Sequence, residues 1–302
     1  MESFFQTDAW GAFKEKPGWL PKRYDGLLGL WRQLPLGQSI LYFPELPVDG
    51  KTATRLKKVI ADLPPNGQTF ARFEFLGEWQ PALAAALLKL GLKKSFEEVQ
   101  PEHRQWVDVG PSEEKILEQM KPKGRYNIRL AEKHNLKIER GTSPELVRRF
   151  SKLYANTAQN QKFAGRDEDY FQDLVKVLKA EGAGEVMVVK KGSEDLAAGV
   201  FLYFGGINSY LYGGSGGDRS LMAPYLLHWE AIKTAKKKGL AIYDLLAIAP
   251  PDQPNHPYAN LTRFKSQFGG RSVRLLGSWD LVSRPFWYRL YQLAETRRRG
   301  NL

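Results

Sequence analysis

Lys265 is the residue whose chemistry is easiest to state. It lies in the run Phe264-Lys265-Ser266-Gln267-Phe268-Gly269-Gly270, which follows a Pro-rich loop from Ala249 to Pro257 and a Tyr243-Asp244 strand end. When an amine attacks an ester, an oxyanion forms and an alkoxide departs, and a fixed ammonium stabilises both. The plain alternative is a lone surface lysine. Arg166 and Tyr170 stand four residues apart at the start of a helix candidate, so their side chains share one face. The planar fork of Arg166 suits a phosphate or carboxylate; otherwise it pairs with Asp169 while Tyr170 faces the core. Tyr210 and Tyr212 alternate along a strand and are expected to point the same way, as ligand contacts or as packing. Arg72 and Glu74 share one face of the strand candidate Phe70 to Phe75, either as a substrate clamp or as the solvent side of a half-buried strand. Gly213 to Gly217 is no phosphate loop: it lacks the Lys-Ser or Lys-Thr of a P-loop and follows a meander rather than opening a parallel βαβ unit. His103, His134, His228 and His256 are widely separated without metal-ligand spacing, which assigns them structural roles.

The elements that must hold these residues read as α/β. In the first third, strand candidates at Ile40–Phe43, Phe70–Phe75 and Gln105–Val109 alternate with helices near Thr52–Asp62 and Pro81–Leu90. A second unit begins near Pro111, where Ser112 and Glu114 precede Ile116 and Leu117 as a helix start. Ser143-Pro144 opens a stronger helix whose Leu146, Val147, Phe150, Leu153 and Tyr154 share a buried face. After a helix from about Asp167 to Lys179, strands at Glu185–Lys190, Leu196–Phe204 and Ile207–Tyr212 are joined by the hairpin signals Gly192 to Asp195 and Gly205-Gly206. A helix Pro224–Lys238, closed by Gly239, and a strand Leu240–Leu246 complete the order of an acetyltransferase-like domain. The expected boundaries are 1–110 with 273–302, and 111–272.

The chain has 302 residues, a net charge of +12, 42% hydrophobic and 26% charged residues, and no cysteine. That length fits two domains. No run approaches the roughly 20 apolar residues that span a bilayer, and the first residues carry no signal-peptide pattern, so a cytoplasmic protein is expected. Disulfides and cysteine nucleophiles are excluded. A basic balance favours a polyanionic partner, and Lys115 to Arg149 carries ten Lys or Arg against four Asp or Glu.

The Phe264 to Gly270 motif, with most of the chain around it, resembles the Fem-type aminoacyltransferases, in particular compact members without a coiled-coil arm. The resemblance implies two joined acetyltransferase-like domains with mixed, mostly antiparallel sheets flanked by helices. It also implies transfer of an amino acid from aminoacyl-tRNA onto the stem peptide of lipid II or of UDP-MurNAc-pentapeptide, without a cofactor. By the match, Phe264 and Lys265 carry the catalytic motif, Arg166, Tyr170 and Tyr212 bind the precursor, and Tyr210 sits beside them. Phe5 to Lys14 resembles the family's opening segment, in which a helix carries a lysine, here Lys14, toward the precursor. The protein is expected as a monomer. Trp279 to Arg299 is expected to fold back as a last strand and helix, or to rest on an anionic membrane surface. One departure stands out: Leu245-Leu246-Ala247 replaces the aromatic residue and glycines common after Asp244. An acyl-CoA-dependent N-acyltransferase on the same fold and a non-catalytic RNA-binding module are the competing readings.

Overall fold

The computed structural model describes residues 1–64 and 67–300, with side chains through 298; Arg299 of the basic end named above therefore lies outside the described side chains. In chain order the elements are α1 (Asp8–Glu15), β1 (Leu20–Tyr24), β2 (Leu27–Leu34), β3 (Gln38–Pro47), α2 (Thr52–Ala61), β4 (Phe70–Glu78), α3 (Pro81–Lys89), β5 (Lys93–Lys94), β6 (His103–Asp108), α4 (Glu113–Gln119), α5 (Pro122–Lys133) and β7 (Lys137–Gly141). There follow α6 (Pro144–Gln161), α7 (Glu168–Ala180), β8 (Gly184–Lys191), β9 (Glu194–Phe204), β10 (Ile207–Ser215), α8 (Ala223–Lys237), β11 (Ile242–Ala247), α9 (Ala259–Lys265), β12 (Arg271–Val282) and α10 (Pro285–Gly300). Among the described residues no helix is long and apolar enough to cross a membrane.

The chain divides into two compact units, 1–102 with 274–302, and 103–273. The fold is mixed α/β, with mostly antiparallel sheets flanked by helices. In the first unit the strand order is β1-β2-β3-β4-β12, with β5 beside β12, and among the described residues only β3 and β4 run parallel. The terminal segment thus returns as a strand and a helix. β4 lies between β3 and β12, and the expectation that one of its faces is solvated fails for a long-range reason. Tyr288 and Tyr291 of α10 and the segment around Phe96 and Glu97 cover the face that carries Arg72. Arg72 is 1% exposed, and its guanidinium donates to Asp280 at 2.7 and 2.8 Å and to Glu97.

In the second unit the order is β6-β11-β10-β9-β8-β7, and only β10 and β11 run parallel. The strand at 103–108 sits in this unit because its ladder partner is β11. The local signals hold up well here. Ser112 and Ser143 cap α4 and α6 through their hydroxyls, and the five stripe residues of α6 are all buried. Gly192-Ser193 and Gly205-Gly206 join β8, β9 and β10 as tight hairpins. On α8, Leu226, Trp229, Ile232 and Ala235 face the core, alongside Val107, Met187, Phe201, Tyr243 and Phe268.

Candidate active site

Lys265 ends α9, and the chain turns through a 3-10 segment, Ser266–Phe268, into Gly269-Gly270. The second glycine is required there: Gly270 has φ +74°, and a Cβ on it would stand 2.0 Å from the Trp106 carbonyl oxygen. This seating draws Lys265 inward. The side chain is 4% exposed, which removes the surface-lysine alternative, and its ammonium donates to the Ala247 carbonyl at 2.7 Å.

That carbonyl is aimed by a kink at the end of β11. Leu246 adopts φ +57°, its N–H donates to Asp244 Oδ1 at 2.7 Å, and the ladder with β6 loses register between Asp244 and Ala247. The segment that departs from the family pattern is therefore the one that presents a dipole to Lys265. Asp244 is fully buried, and its other oxygen accepts from Arg104 Nη1 at 3.0 Å. Burial pulls the Lys265 amine from its ordinary 10.5 down to about 7; Asp244 opposes the fall and Arg104 adds to it.

Phe264 forms a wall of this site, its ring 5.2 Å from Tyr225, 5.3 Å from Phe268 and 5.4 Å from His228. His228 is 1% exposed, and its Nδ1 lies 2.5 Å from the Tyr243 hydroxyl. Burial, reinforced by the nearby Lys265 charge, pushes its pKa down to about 3, so the imidazole stays neutral. Sequence reasoning passed over His228 as a site residue. Its signal was present, since Tyr225, His228 and Ile232 recur at i, i+3 and i+7 and place a polar ring on the buried stripe of α8. Asp244 and Arg104 carried no local signal, because their 140-residue separation hides the pair.

A second constellation gathers Arg166, Tyr170 and Tyr212. Asp167 caps α7 by accepting from the Tyr170 N–H at 2.9 Å, which sets the first turn. The Tyr170 and Tyr212 hydroxyls are 3.0 Å apart, and the Arg166 guanidinium lies 5.1 Å from the Tyr170 ring centre. Arg166 is exposed, and among the described residues it forms no ion pair with Asp169. Burial raises both phenols; Tyr170 adds to the rise on Tyr212, and the Arg166 charge opposes it. Tyr154 and Phe171 pack edge-on against Tyr212.

Tyr210 does not join this group. A β-bulge between Tyr210 and Tyr212 breaks the register with β9, so the two tyrosines do not point the same way. Tyr212 meets α6 and α7, whereas Tyr210 lies 4.6 Å from His228 on α8. The Tyr210 ring rests on a cross-strand glycine pair: a Cβ on Gly199 would stand 2.7 Å from the ring, and one on Gly213 only 1.4 Å from the hydroxyl oxygen. Gly213 and Gly214 are accordingly strand residues rather than loop.

The remaining candidates belong to the first unit. Lys14 holds its ammonium 5.5 Å from the Trp10 ring centre and 5.8 Å from that of Trp19. Arg72 is enclosed in the ion-pair network with Asp280 and Glu97. In the basic stretch, Arg140 is tied to Glu185 and Arg149 to Glu139 and Asp195, which leaves Lys123, Arg129, Lys133 and Lys137 as its exposed cations on α5 and β7.

The FemAB family model matches this chain over residues 85–189 and 178–296. A lipid II:glycine glycyltransferase of Staphylococcus haemolyticus is 26% identical over 274 residues, covering 68% of this chain and 64% of that protein. A protein of the same name from Staphylococcus epidermidis is 23% identical over 272 residues, covering 69% and 64%. The chain thus spans a little under two thirds of the length of these relatives. Among solved structures, the crystal structure of FemX superposes with a TM-score of 0.84 at 18% identity, covering 95% of this chain and 94% of that one. L-PGS from Bacillus licheniformis superposes at 0.61 with 12% identity, covering 100% and 99%. These two likenesses are of fold.

Proposed function

The chain belongs to the FemAB family, and on that premise we propose that it is an aminoacyltransferase that adds an amino acid to the stem peptide of a peptidoglycan precursor. The donor in this reading is aminoacyl-tRNA and the acceptor is lipid II or UDP-MurNAc-pentapeptide. Each unit is read as one acetyltransferase-like domain of a cytoplasmic monomer that works at the inner membrane face when the acceptor is lipid-linked.

The observation that carries the reading is Lys265, an amine buried behind Phe264 and held by a single carbonyl dipole. In the reaction the acceptor amine, made neutral by loss of a proton to a base or water chain, attacks the ester carbonyl of the donor. The new C–N bond forms, the ester C–O bond breaks, the ribose oxygen departs with a proton, and the proton that the attacking nitrogen sheds as it becomes an amide returns through water to the lysine. The Lys265 ammonium stabilises the oxyanion and supplies the proton of the departing oxygen, and a pKa near the working pH suits the exchange. The donor ester is already activated, so positioning and charge stabilisation can supply most of the rate. The exposed fork of Arg166, steadied by Tyr170 and Tyr212, supports capture of a phosphate or carboxylate of the acceptor. Lys14 is proposed as a second precursor contact, with Arg72 and Tyr210 as positioning groups behind the binding surfaces. The exposed cations of α5 and β7 support a tRNA contact.

The test is incubation of purified protein with a pool of charged tRNAs and either precursor, followed by mass spectrometry of the acceptor. A gain of one amino-acid residue, lost in Lys265→Ala, is expected. No gain, with tight coenzyme A binding by calorimetry, would replace the reading with acyl-CoA chemistry.

A further inference from the structure

Helix α10 has two faces with different fates. The inner face is locked: the Tyr288 hydroxyl donates to Asp280 at 2.7 Å, the Tyr291 hydroxyl donates to Glu97 at 3.0 Å, and both rings pack on Phe70. The outer face carries Phe286, Leu290 and Leu293 at i, i+4 and i+7, which are 67%, 40% and 58% exposed. Trp287 stands beside Phe286 with ring centres 5.6 Å apart. Arg297 extends the same stripe by one turn, and Arg289 flanks it; both are exposed. The only described acidic residue of the helix, Glu295, is paired with Arg298.

We propose that this outer face of α10 docks the protein onto an anionic lipid bilayer, with Phe286, Leu290 and Leu293 entering the headgroup boundary and Arg289 and Arg297 meeting lipid phosphates. The combination of an apolar stripe with aromatic residues and edge arginines is what an interfacial helix requires. A second copy of the chain fits less well. The stripe from Phe286 to Leu293 is only about 10 Å long, and a stable protein interface needs roughly 800 Å² on each partner. The proposal rests on the aminoacyltransferase reading only for its purpose, access to a lipid-linked acceptor.

The test is co-sedimentation of the full chain with phosphatidylcholine vesicles, with and without phosphatidylglycerol, alongside transfer to the soluble precursor. Vesicle binding needs no turnover, so failure here and failure of the transfer reading are separately visible. Wild-type protein is expected to bind the anionic vesicles in a salt-sensitive way and to bind neutral vesicles at least about tenfold more weakly. Arg289→Gln with Arg297→Gln should lower affinity by about fivefold for each arginine, and Phe286→Ser with Leu290→Ser and Leu293→Ser should abolish binding. If the triple variant does not fold, Leu293→Ser alone should still weaken binding. The proposal is overturned if wild type ignores anionic vesicles, if it binds neutral ones equally well, if the apolar variants bind as wild type, or if sedimentation equilibrium shows a dimer that the stripe substitutions dissolve.

Discussion

Replacing Lys265 with methionine should make the protein more stable and less active, and the gain should depend on pH in a calculable way. In the folded chain the Lys265 amine has a pKa of about 7, against an ordinary 10.5. Between those values the unfolded chain binds a proton that the folded chain does not, so wild-type stability rises with pH across that window. The cost of burying this amine is largest below the window and absent above it. At one pKa unit per 1.36 kcal/mol, the cost is about 4 kcal/mol near pH 7 and about 2 kcal/mol near pH 9. Methionine fills a similar volume and removes this cost, but it strands the Ala247 carbonyl, which gives back about 1–3 kcal/mol. Lys265→Met should therefore be more stable than wild type near pH 7, and the difference should shrink by about 2 kcal/mol toward pH 9. Urea denaturation of both proteins across this range measures it. Transfer should fall by about a hundredfold or more, as for loss of an oxyanion donor. A stability difference that does not change with pH would refute the claim that the ammonium is desolvated, and full activity in the variant would remove the assigned role.

Gly213→Ala should cost about 1–3 kcal/mol through its clash with the Tyr210 hydroxyl, and most of that loss should disappear in a Tyr210→Ala background, as a double-mutant cycle in urea would show. Asp244→Asn removes the buried carboxylate that Arg104 contacts at 3.0 Å, so its thermal melt should report a loss of about 3 kcal/mol. Arg166→Lys keeps the charge but loses the planar fork, and steady-state kinetics should show KM for the precursor rising about tenfold while kcat changes little. An equal fall in kcat would instead place Arg166 in the transition state.

The parts of the fold that were legible in the sequence are those set by nearby residues. The α6 stripe, its Ser143 cap, the two hairpin turns of β8–β10 and the α8 core face each follow from a few adjacent side chains, and each stands in the structure. The Phe264 to Gly270 run was legible as a family motif, but the reason for its second glycine, the Trp106 backbone oxygen beside Gly270, was not. What escaped was decided by distant chain or by a single inserted residue. Arg72 was read as a clamp or a solvent-facing group because α10, which buries it, lies some two hundred residues later. Tyr210 and Tyr212 were read as same-faced because alternation assumes an unbroken strand, and one bulge reverses it. β1, with Pro21 and two basic residues in five, carries the composition of an edge strand and gave no alternating pattern.

Among the described residues, the buried cations Arg72, Arg104 and Lys265 show how burial and partner set their behaviour. Arg72 sits against two carboxylates; burial pulls its pKa down, but Asp280 and Glu97 more than offset that, so its charge is permanent. Arg104 is matched by Asp244 in direct contact. Lys265, as deeply enclosed, is given a carbonyl oxygen instead, because Asp244 is occupied by Arg104 and by the Leu246 N–H. A dipole compensates an ammonium only in part, and the remainder appears as the fall of its pKa toward neutrality. A carboxylate partner holds a cation's proton more tightly, whereas a dipole leaves a buried ammonium easier to deprotonate, and a guanidinium keeps its proton in either setting. On the proposed reading, the arrangement that costs folding stability at Lys265 is the same one that frees its proton for chemistry, and the ion pairs at Arg72 and Arg104 give those two residues a scaffold role.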